Sequence, residues 1–382
     1  MNDYQVEIKS NIDAAEMAAL GDDWCSLQSR AKHRFFISWH WMHTWLLTIS
    51  PHVSIITIRH QGTVVGLCLL CFKDSARHKV MSVKQCFLHE TGDPNSDQQW
   101  IEYNDFLVDD NHAEYVYPLM VKTLTEAFQW DELLYGVASA EKVRQLADIS
   151  GLHLVIRWES ESHGIDLAKL RNEQPDYLSS LSKNKRSQIR RSIKHYEKQG
   201  SIEIHHANTV QEAKTTFAEI SPLHRERWGV GYQESGFANP IFCQFHQSLI
   251  ERNWSSGYID LIKISCNKRA IAYFYNFIYQ NRVYFYLSAL QSESDNKLKP
   301  GLVGHALCIQ QYLDAGIDYY DFMGGGESYK DSLAQRTGKF YRATLQKPIF
   351  KLNLEQTLRS AKNTAQTSMK HLASSLQKTK GN

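Results

Sequence analysis

One order of elements runs through this chain twice, and that repetition limits the folds open to it. Alternating apolar residues and helical spacing predict a strand over Tyr4 to Lys9, helices over Ile12 to Gln28 and Trp39 to Ile49, then strands at His52 to His60 and Thr63 to Phe72. Extended pieces follow around Val80 to Leu88 and Tyr103 to Val108. A helix over His112 to Gln129, a strand at Glu132 to Val137, a short helix at Ala140 to Ile149 and a strand at His153 to Trp158 complete the half. The second half repeats the pattern: strand Ser201 to His206, helices near Val210 to Arg227 and Pro240 to Asn253, and a meander over Tyr258 to Ser265, Ala270 to Tyr279 and Val283 to Leu290. A helix from Pro300, a strand at Ile317 to Met323, a short helix near Ser328 and a strand at Lys339 to Gln346 end it. Residue identity between the halves is slight, so the repeat is one of pattern. It implies two similar α/β (α+β) units, each a mixed, mostly antiparallel sheet flanked by helices. Boundaries are expected at 1–175 and 176–352, with a polar helical tail over 353–382.

Composition narrows the function classes. With 42% hydrophobic and 22% charged residues the chain is globular, and a net charge of +2 leaves any nucleic-acid role to a local patch. The longest apolar run, Val64 to Phe72, is too short to span a bilayer, and the N-terminus lacks the basic-then-apolar form of a signal peptide. A cytoplasmic location without a transmembrane segment is therefore expected. The seven cysteines are scattered and mostly among apolar neighbours, as reduced buried thiols are.

The stretch Lys297 to Lys330, KLKPGLVGHALCIQQYLDAGIDYYDFMGGGESYK, is the richest in chemistry. Pro300-Gly301 opens a helix whose apolar stripe is Leu302, Ala306, Ile309 and Leu313. The first amides of such a helix lack partners and carry the positive dipole end, which suits an anion, although an ordinary helix–strand connection with turn glycines reads the same way. Gly316 fits a helix C-terminus, and the following strand ends at Gly324-Gly325-Gly326.

Between the halves, Leu181 to Gly200 places Ile189, Ile193 and Tyr196 on one helical face, with Lys183, Lys185, Arg186, Arg190, Arg191, Lys194 and Lys198 around it. It reads either as a solvated linker helix or as a dock for a polyanion. Cys68 and Cys71 share the spacing of a redox or zinc pair, but residues three apart in a strand face opposite ways and no second pair exists. His40 and His43 lack further ligands at metal spacing and read as packing among Trp39, Trp41 and Trp45; no metal is expected. The chain has no Gly-x-Ser-x-Gly elbow and no phosphate-loop lysine after its glycine run.

The two-fold order, with Pro300-Gly301 before a helix, Asp321-Phe322, the glycine run and Glu327-Ser328-Tyr329-Lys330, resembles the GNAT superfamily of acyl-CoA-dependent N-acyltransferases. Within it the chain is similar to the double-domain branch of cellulose and exopolysaccharide biosynthesis acetyltransferases, akin to Fem-type aminoacyltransferases. SWHWMHTWL, LSKNKRSQIRRSIK and HRERW carry the likeness elsewhere. The resemblance implies tandem GNAT-like domains, the first degenerate. It implies acetyl-CoA or a longer acyl-CoA as co-substrate, its pyrophosphate at Lys299, Pro300, Gly301, Leu302, Val303 and Gly304 and its pantetheine arm along Ser288, Ala289 and Leu290. The loop departs from the superfamily pattern, since it lacks the initial Gln or Arg and keeps only the later small residues. The first half has no Pro-Gly counterpart: its helix is entered through Asp109-Asp110-Asn111, whose charge would repel a pyrophosphate.

Amide formation from a thioester needs an unprotonated amine, a donor to the developing oxyanion and an acid for the departing thiolate. The resemblance assigns the acid to Tyr329; Asp321 and Glu327 are candidate bases, and Lys330 a phosphate or acceptor contact. Each has a structural alternative: Asp321 as a cap, Glu327 as a first-turn dipole partner, Tyr329 as a core ring and Lys330 as an ion-pair partner. Acceptor selection in such a fold falls to the segment between the first two helices, here Arg225, Arg227, Trp228, Tyr232 and Phe237. The first half is expected to support the second and to help wall the acceptor cleft, where the loop Thr91 to Asp97 reads either as a surface loop or as a source of polar contacts. The expected activity is acyl transfer to an amine of a cell-envelope or polysaccharide precursor. A Fem-type transfer from aminoacyl-tRNA, with the basic helix as the tRNA contact, is one alternative, and a non-catalytic double-domain binding protein is another.

Overall fold

The central strands are apolar almost without interruption, as they must be where both faces of a sheet are covered. Residues 64–71 and 271–277 are buried throughout. The computed structural model describes residues 3–10, 12–79, 81–232, 234–326 and 328–357. Its strands are β1 (Tyr4–Ser10), β2 (Ser54–His60), β3 (Thr63–Arg77), β4 (Met81–Leu88), β5 (Leu107–Val108), β6 (Glu132–Ser139), β7 (His153–Asp166), β8 (Ile202–His206), β9 (Ile259–Cys266), β10 (Arg269–Tyr279), β11 (Arg282–Leu290), β12 (Tyr319–Met323) and β13 (Gln335–Gln346). Its helices are α1 (Ala14–Gln28), α2 (Trp39–Ile49), α3 (Ala113–Ala127), α4 (Ala140–Ser150), α5 (Leu167–Glu173), α6 (Tyr177–Ser180), α7 (Lys183–Glu197), α8 (Val210–Trp228), α9 (Pro240–Asn253), α10 (Pro300–Asp314) and α11 (Lys330–Leu333). Residues 350–357 are helical; most of the expected tail, 358–382, lies outside the described residues.

The strands join in one thirteen-stranded sheet, ordered β1-β2-β3-β4-β6-β13-β7-β12-β11-β10-β9-β8, with β5 on β3. Each half contributes four antiparallel strands and a fifth that lies parallel to the fourth: β6 beside β4, and β12 beside β11. The next strand in each half is exchanged. β7 runs on past Trp158 to Asp166 and pairs with β12 of the second half, while β13 returns to pair with β6 of the first. β13 and β7 also pair with each other from Gln346↔His153 to Gln335↔Gly164, so hydrogen bonding crosses the centre without a break. The sequence reading ended β7 at Trp158 and left β13 with the second half. Gly164 helps explain the longer path, because a Cβ there would lie 2.1 Å from the Tyr319 hydroxyl.

One face of the sheet carries α1 and α2 of the first half together with α8 and α9 of the second. Trp24, Phe35, Phe36, Trp41, Phe245 and Phe277 pack there in a single core that spans both halves. The Trp41 and Phe245 rings are 4.8 Å apart, and His40 Nδ1 meets Asn253 Oδ1 at 2.7 Å, so α2 and α9 form the seam. On the other face α3 and α4 cover the first half, and α7 and α10 help cover the second. No helix of the described residues is long and apolar enough to cross a membrane.

Candidate active site

The site begins with a defect in strand pairing. β11 and β12 pair only at Arg282↔Tyr319, Val283↔Tyr320 and Tyr284↔Asp321. A register shift against β10 leaves Tyr286 as an extra residue on β11, and a bulge of this kind bends the strand that carries it. From Phe285 to Leu290 β11 therefore pairs with β10 alone, and a gap opens between it and β12. Helix α10 starts at the mouth of this gap. The amide of its cap residue, Lys299, donates to Ser192 Oγ of α7 at 2.9 Å, and Val303 N donates to Lys299 O at 3.0 Å. The Gly301 and Leu302 amides, within the first turn, have no acceptor inside the helix.

The gap widens into a cleft of about 1190 Å³. The side next to β11 and α10, termed the donor side after the expectation placed on it, holds Ser288, Leu290, Lys299, Pro300, Gly301 and Leu302, and the floor holds Gly324, Gly325, Tyr329 and Lys330. Ala289 packs into the core, and Val303 and Gly304 are buried in the helix interior. Gly304 is required by packing, since a Cβ there would sit 2.6 Å from the Phe274 ring. Lys330 is buried and its Nζ donates to the Gly324 carbonyl. The Tyr329 ring stacks on His305 at 5.4 Å. His305 is 2% exposed, lines the cleft among Phe274, Phe285 and Phe322, and among the described residues its Nδ1 has no hydrogen-bond partner. Burial, reinforced by the nearby Lys330 charge, lowers its pKa to about 3, so the ring is neutral.

Other residues expected at the site are elsewhere. Asp321 is 1% exposed; it accepts from the Tyr103 hydroxyl, from Arg282 at 3.1 Å and from the Met323 amide at 2.8 Å. Its carboxylate is occupied in holding the end of β12 and does not line the cleft, a correction to its reading as a base. Glu327 lies outside the described residues. Of the expected acceptor residues, Arg227 and Trp228 line the cleft. Arg225 is exposed outside it, Phe237 is buried in the core, and exposed Tyr232 contributes its carbonyl to Gln98 at 2.5 Å.

The far wall comes from the first half, and sequence reasoning did not single out Glu90, Trp100, Glu102, Trp158 or Arg342 as its residues. Glu90, Asp97, Trp100 and Glu102 arrive on the segment after β4, Trp158 on β7 and Arg342 on β13. The loop Thr91 to Asp97 is folded inward: Asp97 accepts from the Thr91 and Gly92 amides at 2.7 Å each. Glu102 Oε2 accepts from the Gly324 amide at 2.9 Å, and the Tyr286 hydroxyl donates to the Gln99 carbonyl at 2.6 Å. Acidic residues following an apolar strand were the available signal. In the first half the gap between β4 and β6 is filled by its own chain: buried Asn104 donates from Nδ2 to Leu88 O and from its amide to Val137 O. The site is thus one cleft, donor side from the second half and opposite wall from the first.

Residues 183–331 match the family model described as an acetyltransferase (GNAT) domain. Among solved structures the chain is similar to FemX, at 13% identity and a TM-score of 0.55 over 92% of this chain and 99% of that one. It is similar to L-PGS from Bacillus licheniformis at 9% identity and a TM-score of 0.52, over 92% and 98% of the two chains. The C-terminal domain of a putative lysylphosphatidylglycerol synthetase from Agrobacterium fabrum matches at 10% identity and a TM-score of 0.51, over 91% and 96%. No curated protein matches in sequence. At these identities the structural likenesses speak for the fold.

Proposed function

We propose that this chain, whose residues 183–331 match the acetyltransferase (GNAT) domain model, is an acyltransferase that moves an acyl group from acyl-CoA to an amine. The observation that carries this reading is the open gap between β11 and β12 with the start of α10 at its mouth. A pantetheine arm is an extended chain with amides, and the unpaired edge of β11 offers backbone partners to it. The pyrophosphate then meets the Gly301 and Leu302 amides, the dipole of α10 and the Lys299 side chain.

The acyl carbonyl lies beside Tyr329, whose hydroxyl gives its proton to the departing thiolate, while Lys330 fixes the glycine run through Gly324. The acceptor enters from the wall that carries Trp100, Trp158 and Trp228. Aromatic faces beside carboxylates suit an amine on a ring, in keeping with an envelope or polysaccharide precursor.

Titration of acetyl-CoA and longer acyl-CoAs into the purified protein tests the donor. Saturable binding that is lost in Gly301→Glu is expected; no binding, or equal binding by the variant, overturns the reading.

One observation favours transfer from aminoacyl-tRNA as a second reading. Ser192 of α7 holds the Lys299 amide, so the exposed Arg190, Arg191 and Lys194 lie on the helix that contacts the donor mouth. Binding of tRNA that disappears in Arg190→Glu/Arg191→Glu, without acyl-CoA binding, would establish that reading instead.

A further inference from the structure

Glu90 is 5% exposed and lies two residues past the end of β4, on the half of the molecule that has no donor site, yet it lines the reaction cleft. A carboxylate is kept out of water at a cost unless a charge or donors offset it. The offset here is partial. Arg342 Nη2 stands 3.3 and 3.4 Å from the Glu90 oxygens, a marginal contact from a side chain 47% exposed. On the β6 side Glu90 faces Gly136, where a Cβ would lie 3.2 Å from its carboxyl carbon and 2.7 Å from Asn104 Nδ2. Glycine at that position makes room for the carboxylate and the amide together. The charged groups around Glu90 are Arg342 on β13 and Asp97 on the loop that follows β4; Asn104 and Val137 are neutral.

The same cleft contains another buried polar group. Among the described residues His305 Nδ1, on the donor side, has no hydrogen-bond partner. Its neutral ring supplies an acceptor or donor for a ligand, so polar capacity is left open on the donor helix as well as on the first half.

Resting on the acyl-CoA reading above, we propose that Glu90 is the catalytic base that receives the acceptor amine, and that the acceptor is a primary amine arriving as an ammonium ion. Asp97 and Glu102 add negative charge to the same wall and attract the cation, and Trp100 and Trp158 present ring faces to the rest of the acceptor. The ammonium gives one proton to the Glu90 carboxylate, directly or through one water. Its lone pair then forms the C–N bond at the thioester carbonyl carbon. The C–S bond breaks, the thiolate takes the Tyr329 proton, and the second nitrogen proton leaves to solvent and restores Tyr329 through it. Glu90 then releases its proton to solvent, so the products are the amide, free CoA thiol and one proton.

Burial pushes the Glu90 carboxyl up to about 7, with Arg342 opposing the shift and Asp97 adding to it. A base there works near neutral pH, where a carboxylate at its ordinary value would hold a proton poorly.

The test uses the full chain with acetyl-CoA and a probe panel of glucosamine, galactosamine, tyramine and putrescine, following thiol release and product mass. Calorimetry of acetyl-CoA binding runs alongside. Wild type is expected to acetylate at least one probe, with kcat/KM falling below about pH 7. Glu90→Gln should bind acetyl-CoA like wild type, lose about 100-fold or more in kcat and lose that acid limb; Glu90→Asp should recover part of both. A Glu90→Gln enzyme with the wild-type pH profile overturns the proposal, as does a wild type that binds acetyl-CoA and acetylates none of the probes. Absence of acetyl-CoA binding instead overturns the donor reading beneath it. If Glu90→Gln does not fold, Gly136→Ala, which crowds Glu90 and Asn104, serves as second variant: an unchanged acid limb there with the carboxyl displaced also overturns the base assignment.

Discussion

The carboxylate of Glu102, on the first half, accepts a hydrogen bond from the backbone amide of Gly324, on the second, at 2.9 Å. Beside it the Tyr103 hydroxyl donates to Asp321. Two neighbouring residues of one loop thus fasten the end of β12 and the glycine run that follows. The cleft wall and the cleft floor are held to each other by these bonds, so the geometry of transfer depends on contacts between residues more than two hundred positions apart.

Glu102→Ala removes a charged acceptor and leaves the Gly324 amide without it. A loss of about 1.5–3 kcal/mol in folding stability is expected, the range for hydrogen bonds to charged groups. Urea unfolding checks this. Turnover should fall further than stability alone accounts for, because the floor of the cleft loosens.

Asp321→Asn separates a structural role from a catalytic one. Asp321 and Arg282 form a buried pair with side chains 2% and 20% exposed, and removing one member leaves a charge uncompensated. A loss of about 3–5 kcal/mol is expected. A variant with wild-type stability and no turnover would show that the carboxylate takes part in the chemistry after all.

Gly301 and Gly304 stand three residues apart on α10 and should respond differently. Gly304→Ala drives a methyl into the Phe274 ring at 2.6 Å and is expected to cost about 1–3 kcal/mol in stability. Gly301→Glu meets only the flexible end of Leu290 at 2.9 Å, so the fold should persist while acyl-CoA affinity drops at least tenfold from charge repulsion. Parallel denaturation and calorimetry distinguish the two.

Acid should destabilise the protein before carboxylates of ordinary pKa titrate; Glu90, raised by burial to about 7, opposes this by taking up a proton on folding between about 4.5 and 7. Burial lowers His305 to about 3 and His89 and His224 to about 4. Each is neutral when folded and takes up a proton on unfolding between its folded value and the ordinary 6.5. Stability is therefore full above about 6.5 and falls with pH below it, by about 1.4 kcal/mol per pH unit for each histidine in its window. His206 has the opposite sign: the hydrogen bond to Asp260 raises it, so its contribution is present below 6.5 and is lost as pH rises through its folded value. Denaturant midpoints from pH 4 to 8 should show the net acid loss, reduced by about one proton in His305→Phe.

The order of elements was readable because each strand and helix carries its own periodicity. The α10 start is similar: proline, glycine and an apolar stripe are local features, and Pro300 does open the helix. Asp321 misled because its position at a strand end is local, while Arg282 and Tyr103 reach it only in the folded sheet. Glu90 and Glu102 offered only a weak signal, acidic residues after an apolar strand, for the converse reason. Their surroundings in sequence are an ordinary polar loop, and only folding turns that loop toward the donor half.

By itself the sequence determined two similar sets of elements and a helix start suited to an anion, since both follow from periodicity and from the backbone limits of proline and glycine. Only the tertiary structure decided that β7 and β13 exchange halves and which residues of the first half face the cleft. Strand partners and buried carboxylate contacts are set by burial and hydrogen bonding across the sheet, and the chain order does not encode them locally.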